Sequence, residues 1–364
     1  MPKIKVLSIL HRPPPAHGAS KVGEFISHSK KINNEFNCKY ITIKSSDTIA
    51  DIGKISFKKI YLLIELYIKV FFTLITFRPD KIYFTASISG VAFYRDLLVS
   101  SLWRVYSKLT KVDIFYHYHT KGINNFVSNS KRNLKFTRVF LKDINLILLS
   151  PMLLNDFNRI DTFKDVYYLP NGVENSIDNI AFNKKDTLDI LYLSNMIKSK
   201  GCFTVLELAN RTENINFHFA GGWQNSEDED EFFKYIADNK LENRVTFYGF
   251  INGKSKMDLF LKSDIFIFPT QYENEAFPLT ILEALSYGLP IISTNNGSIP
   301  YIIDNKSGII IDDLDNLLNA LNEAIDKLIN RETSIYCRDR YLQNFTLDRF
   351  EDNFIKIMKD RDDI

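Results

Sequence analysis

Two carboxylates, Glu275 and Glu283, stand eight positions apart in residues 269–294, PTQYENEAFPLTILEALSYGLPIIST. Eight residues is just over two helical turns. On a helix running from about Pro278, both acids lie toward one face, with Glu275 just ahead of the first turn and Glu283 inside it. Pro278 suits the first helical position, where a missing N–H costs nothing, and the N–H groups of Leu279 and Thr280 behind it point at whatever sits before the helix. Such a helix start favours an anion, and a phosphate is the expected one. Glu is also a common helix former, so spacing alone leaves both acids equally readable as solvated surface residues.

The elements that must hold this pair can be read on either side of it. Residues 264–270 (DIFIFPT) read as a buried strand and residues 289–294 (LPIIST) as the next, which makes the unit strand, loop, helix, strand. A parallel crossover of this kind puts the loop at the carboxyl edge of a sheet, where open α/β folds bind ligands. The full string E-x-F-P-L-T-x-x-E-A, followed by G-x-P-I-I from Gly288, resembles the paired-glutamate signature of family 4 glycosyltransferases of the GT-B class. That resemblance implies an α/β fold of two Rossmann-like domains, each with a parallel sheet, facing one another across a cleft. It also implies that Glu283 holds ribose hydroxyls of a nucleotide sugar and that Glu275 acts on the sugar.

The chain has 364 residues, room for two domains that each bury a core. Hydrophobic content of 45% and charged content of 25% are those of an ordinary globular protein. Residues 1–10 form a strand-like run with no cleavage site of small residues behind it, so no signal peptide is expected. Cys38, Cys202 and Cys337 are far apart and odd in number, which argues against a disulfide framework or a metal site and fits a reducing cytoplasm.

A net charge of +2 conceals a division: residues 1–172 carry 26 Lys/Arg against 12 Asp/Glu, and the remainder 20 against 32. A basic N-terminal half is either a solvated surface balanced by the acidic half, or a face that attracts anionic lipid or a phosphate-bearing acceptor. On the second reading Lys30, Lys31, Lys54, Lys58 and Lys59 give salt-reversible attachment at the inner membrane face.

In chain order, a strand over residues 3–10 leads into HRPPPAHGAS. In this stiff loop Gly18 lets the backbone approach a ligand, and Ser20 caps a helix over residues 21–32. The family has its first glycine loop here, facing donor and acceptor, although this chain has His17-Gly18 where many members have two glycines. Residues 57–77 are strongly apolar, but Glu65 and Lys69 interrupt them, and the expected element is a buried helix of the N-terminal sheet, with Lys54, Lys58 and Lys59 leaving a membrane-surface helix as the alternative. The strand over residues 112–119 ends in His119, with His117 deeper on the same face. The resemblance assigns His119 to the donor sugar.

Residues 170–173 (PNGV), also found in the family, begin a polar linker over residues 174–186. The boundaries are therefore an acceptor domain over 1–172, a nucleotide-sugar domain over 173–345 and a last helix, about 346–364, packing back onto the first domain. Lys200 stands ahead of a helix beginning near Cys202, placed for a diphosphate held by lysine and backbone N–H groups together. The family commonly shows G-R-L-x-x-x-K-G here. This chain has Ser194-Asn195-Met196 in place of G-R-L, which leaves Lys198, Lys121 and Arg12 as candidate substitutes for the arginine. Gly249 and Phe250 end a strand at the position that meets the base in the family, and Phe277 lies inside the signature.

The implied function is a retaining, metal-independent glycosyltransferase that moves a hexose or acetamido-hexose from a nucleotide sugar to a hydroxyl of a growing, lipid-linked bacterial surface glycan. Its expected catalytic residues are Glu275, His119 and Lys200, and its donor-binding residues Gly18, Asn195, Gly249, Phe250, Phe277, Leu279, Thr280 and Glu283. No cofactor and no nucleic acid partner is expected. Two other classes share the architecture: a non-hydrolysing nucleotide-sugar 2-epimerase and a catalytically silent sugar-nucleotide-binding protein.

Overall fold

The computed structural model describes residues 2–14, 18–44, 57–178, 180, 182 and 185–360. His17 and Lys54, both weighed from the sequence, lie outside them. The chain divides into two units, residues 1–171 with 350–364, and residues 172–349.

The first unit runs β1 (Lys5–Leu10), α1 (Gly18–His28), α2 (Lys30–Glu35), β2 (Asn37–Thr42), α3 (Phe57–Phe77), β3 (Lys81–Thr85), α4 (Gly90–Leu109), β4 (Asp113–Tyr118), α5 (Ile123–Ser128), α6 (Lys131–Leu141), β5 (Asn145–Leu148) and β6 (Val166–Tyr168). All pairings in its sheet are parallel, in the order β2-β1-β3-β4-β5-β6. The β1-to-β2 step runs along the sheet in the opposite direction to the later steps. Right-handed crossovers therefore put α1 on one face and α3, α4 and α6 on the other. Side chains of neighbouring residues on β3 agree: Tyr83 packs 5.2 Å from Phe354, whereas Phe84 packs 5.0 Å from Trp103 of α4.

Two local expectations are corrected here. Ser20 is not a cap but lies buried inside α1. The single helix expected over residues 21–32 is two, because Ser29 ends the first and caps the second by accepting the Ile32 N–H at 3.0 Å. A third correction has wider consequences. In α3 only Leu66, Val70, Thr73 and Leu74 are buried, while Phe57, Tyr61, Ile64 and Phe72 are exposed, so it is not a buried helix.

The second unit runs β7 (Leu188–Leu193), α7 (Cys202–Asn210), β8 (Ile215–Ala220), α8 (Ser226–Asp238), β9 (Val245–Phe247), α9 (Gly253–Lys262), β10 (Ile265–Phe268), α10 (Leu279–Ser286), β11 (Ile291–Thr294), α11 (Ile299–Ile302), β12 (Gly308–Ile311), α12 (Leu317–Lys327) and α13 (Arg331–Asn344). Its parallel sheet has the order β12-β11-β10-β7-β8-β9. Parallel strands bring every carboxyl end to one edge, so the loops after β7, β8, β9, β10 and β11 share it.

After α13 the chain returns through α14 (Leu347–Lys359). Phe350, Phe354, Ile357 and Met358 of α14 join Val6, Leu10, Ile26 and Tyr83 in one core of the first unit. Ion pairs Lys31–Asp352 and Lys359–Glu35, both at 2.6 Å, fasten the same side, so Lys31 faces α14.

Candidate active site

Lys200 ends a short 3-10 turn, Lys198–Lys200, and three contacts fix where its backbone lies. The Gln271 N–H donates to Ser199 O at 2.7 Å, and the Tyr192 hydroxyl donates to Lys200 O at 3.2 Å. Gly201, with φ of +91°, presses so closely on β10 that a Cβ there would stand 2.7 Å from Pro269 O. No L side chain fits that conformation and approach together. The turn after β7 is thereby joined to the loop after β10, and Lys200 Nζ comes to 3.0 Å from Glu275 Oε2. The same ammonium lies 5.1 Å from the centre of the Tyr272 ring.

Glu275 itself is held by backbone. Its N–H donates to Tyr272 O at 3.0 Å, and the Ser298 N–H donates to Ala276 O at 2.8 Å. Gly297, at φ of +57°, would put a Cβ 2.2 Å from Glu275 O, so the loop after β11 closes directly onto the carboxylate's peptide. Asn296 adds side-chain N–H bonds to Thr270 O at 3.3 Å and Tyr272 O at 3.0 Å.

The helix behind begins one residue later than expected. Pro278 is the N-cap of α10, with extended backbone (φ −69°, ψ 117°), and Leu279 is the first helical residue. Proline's fixed φ satisfies either position, which is why its presence alone does not separate them. Leu279 and Thr280 consequently carry first-turn N–H groups that a helix leaves without intrahelical acceptors. One turn on, Glu283 Oε1 accepts from Lys256 Nζ of α9 at 2.6 Å. Glu283 Oε2 is buried and has no hydrogen-bond partner among the described residues. A buried carboxylate oxygen without a donor is costly in the protein alone and is suited to receive a ligand hydroxyl.

Other expected donor-binding residues share this edge. Exposed Asn195 follows β7, and the Met196 N–H next to it donates to Gly222 O at 2.9 Å. Gly249, at φ of +65°, accepts from the Gly221 N–H at 2.8 Å, and Phe250 beside it is 73% exposed. Phe277 is different: it is buried, 6.1 Å from Phe345, and supports the loop from behind. Two proposed substitutes for the family's arginine are engaged elsewhere. Lys198 pairs with Glu231 at 2.6 Å and Asp228 at 3.2 Å, and Arg12 Nε donates to Thr42 Oγ1 at 2.7 Å.

In the first unit His119 directly follows β4 and is half-buried. His117, fully buried, lies with its ring 4.0 Å from that of His119, and its Nδ1 is 2.7 Å from the Tyr83 hydroxyl. Burial and the neighbouring His119 hold the His117 pKa well below the usual imidazole range. The Asp156 carboxylate fastens the loop after His119, accepting from the N–H groups of Gly122, Ile123 and Asn124 at 2.6, 2.9 and 3.1 Å. Gly18 opens α1 on the same sheet edge, with open space where a Cβ would stand.

Lys256 and Asp156 were not among the residues singled out from the sequence. Neither sits in a motif: Lys256 is one of three lysines in α9, and Asp156 caps a helix that starts 33 residues before it.

The arrangement offers two carboxylates, two lysines and a helix N-terminus on one sheet edge. Residues 173–343 match the family model "Glycosyl transferases group 1". Over these residues the chain is similar to the group 1 glycosyl transferases. A relative of this unit, the UDP-Gal:alpha-D-GlcNAc-diphosphoundecaprenol alpha-1,3-galactosyltransferase of Escherichia coli, is 30% identical over 133 residues, 35% of this chain and 33% of that protein. The chain spans about a third of the length of that relative, and 36% and 38% of two others, from Dictyostelium discoideum and Bacillus subtilis. Among solved structures, the lipopolysaccharide outer core galactosyltransferase WaaB superposes with a TM-score of 0.73 at 17% identity, covering 98% of this chain and 100% of that one. Anabaena Alr3699/HepE in complex with UDP-glucose superposes at 0.65 and 16% identity, covering 98% and 99%. These likenesses establish the fold, which is that of the GT-B glycosyltransferases.

Proposed function

We propose that this protein is a retaining glycosyltransferase that moves a hexose or acetamido-hexose from a nucleotide sugar to a hydroxyl of a growing, lipid-linked bacterial surface glycan. The observation that carries this reading is the Lys200–Glu275 pair, set 3.0 Å apart in front of α10. In such a transfer the bond from anomeric carbon to phosphate oxygen breaks, the acceptor oxygen bonds to that carbon, and the hydroxyl proton ends on the departing phosphate. Negative charge grows on the diphosphate while positive charge grows at the sugar. Lys200 and the N–H groups of Leu279 and Thr280 suit the first, and Glu275 suits the second.

Glu283, with its unpartnered oxygen, suits a ribose hydroxyl, and Gly249 and Phe250 suit the base. Within the first unit, His119 and Gly18 suit contact with sugar and acceptor. Lys200 and helix dipoles take the place of a divalent cation on the leaving group. The relative that uses UDP-Gal and a diphosphoundecaprenol-linked acceptor supports both a nucleotide-sugar donor and a lipid-linked acceptor. On this reading the enzyme works at the cytoplasmic side of the membrane, where nucleotide sugars are the donors.

The test is a panel of radiolabelled nucleotide sugars incubated with lipid-diphosphate acceptors, with and without a chelator. Label transferred to lipid, unchanged by chelation, is expected. A donor converted to its 2-epimer, or bound without turnover in every combination, overturns the transferase reading, and activity lost on chelation overturns the metal-free one.

A further inference from the structure

The outer layer of the first unit is made by α3, α4 and α6, with α3 packed on α4 and α4 on α6. Along α3, Phe57, Tyr61, Ile64, Ile68, Phe72 and Ile75 are all exposed. At about 100° per residue they fall within an arc of roughly 80°, opposite the buried Leu66, Val70 and Leu74. Val91, Leu98, Val105 and Leu109 make a second exposed row on α4, seven and four residues apart. On α6, the exposed Lys131, Lys135 and Arg138, continued by Lys142 just past its end, form a third row, and it is basic. Arg138 has Asp161 3.9 Å away, so the row keeps a net positive charge.

From these rows we infer that the α3–α4 face docks on an anionic lipid bilayer, with α3 lying in the plane of the interface and α6 against the headgroups. Two apolar rows side by side, one of them on a helix of 21 residues, exceed what isolated surface side chains amount to. Phe57, Tyr61 and Phe72 are side chains that favour the membrane boundary. Charge selects the occupant. A second copy docked by a two-fold axis would bring another basic row to the same interface, whereas acidic headgroups neutralise it.

By length and hydropathy α3 could also cross a bilayer. Crossing would strip Leu66, Val70 and Leu74 from the unit and carry Glu65, which pairs with Lys44 and Lys69, into hydrocarbon. The surface differs from the one expected from Lys30 and Lys31, since α2 lies on the α14 side of the sheet; Lys58 and Lys59 do belong to α3.

Co-sedimentation of the full chain with phosphatidylglycerol-containing vesicles and with pure phosphatidylcholine vesicles tests this, and needs no turnover, so it stands apart from the transferase reading. Partition onto the anionic vesicles at least tenfold above neutral ones is expected, falling tenfold or more in Ile68→Glu/Phe72→Glu and becoming salt-insensitive in Lys135→Glu/Arg138→Glu. A milder variant, Phe72→Trp, is expected to show a blue-shifted difference emission on anionic vesicles that brominated acyl chains quench. Equal binding to both vesicles, indifference to both double substitutions, a difference emission from Phe72→Trp that brominated chains leave unquenched, or a dimer that the α3 substitutions abolish without any vesicle binding would each overturn the inference.

Discussion

Lys200 and Glu275 approach to 3.0 Å although they come from loops after different strands, β7 and β10. Each charge is mostly buried, with 17% and 11% of the side chain exposed, so each depends on the other while no ligand is present. A donor diphosphate would compete with Glu275 for the ammonium and release the carboxylate toward the sugar. Lys200→Ala is accordingly expected to lower turnover by about 10²–10³, the scale of losing a preorganised charge at a leaving group. Glu275→Gln should lower kcat more than donor affinity. Steady-state kinetics beside calorimetric donor binding checks both, and a Glu275→Gln enzyme within about threefold of wild type, under ~1 kcal/mol of barrier, would remove Glu275 from the chemistry.

Glu283 and Lys256 form the second pair, at 2.6 Å. Glu283→Ala is expected to weaken nucleotide-sugar binding by about 1–3 kcal/mol, because a ligand hydroxyl loses its buried acceptor. Lys256 acts through Glu283, so Lys256→Met should cost less, and the double variant should bind as Glu283→Ala does alone. Titration calorimetry of the four proteins gives the cycle. Additive losses would mean that Lys256 meets the donor on its own account.

Much of this site was legible in the chain because its parts are local. Residues 264–294 contain two apolar runs, Pro278 between them, and Glu275 and Glu283 at helical spacing, and those features alone imply strand, loop, helix and strand. What was not legible depends on partners distant in sequence. Lys256 reaches Glu283 across 27 residues from a helix with no motif. Ser29 divides one amphipathic stretch into two helices through a bond that its residue type permits but does not require. In α3 the apolar residues are periodic in both directions, and a sequence records how apolar each side is, not which side protein covers.

His117 ties acid stability to the histidine pair. Its pKa is held well below the usual imidazole value by burial and by His119, so the native ring is neutral. As pH falls below about 6.5, the unfolded chain takes up a proton that the folded one refuses, and stability drops by up to about 1.4 kcal/mol per pH unit until the folded pKa is reached. His117→Gln keeps a partner for the Tyr83 hydroxyl and does not titrate. Urea midpoints measured from pH 7.5 to 5 should therefore fall less steeply for this variant than for wild type. Parallel curves would show that folded and unfolded chains take up the His117 proton alike, so that burial does not hold its pKa down.

Arg338 anchors the far end of the helix that carries Glu283. From α13 its buried guanidinium donates to Ser286 O at the last turn of α10, to Ile177 O and to Asn175 Oδ1. Ser334 Oγ adds a bond to Gly288 O at 2.7 Å. Substitution by Met fills part of the space but leaves these acceptors without donors. Arg338→Met should then destabilise the protein by about 2–4 kcal/mol, the scale of several buried acceptors left unpaired. Lys is not an equivalent either, because one ammonium cannot span the three acceptors with a fixed planar fork. If α13 positions Glu283 through α10, Arg338→Lys should weaken donor binding while kcat for bound donor changes less. Chemical denaturation and donor titration on the same preparations decide this. A destabilised Arg338→Lys protein that binds donor as wild type does would confine Arg338 to a stabilising role.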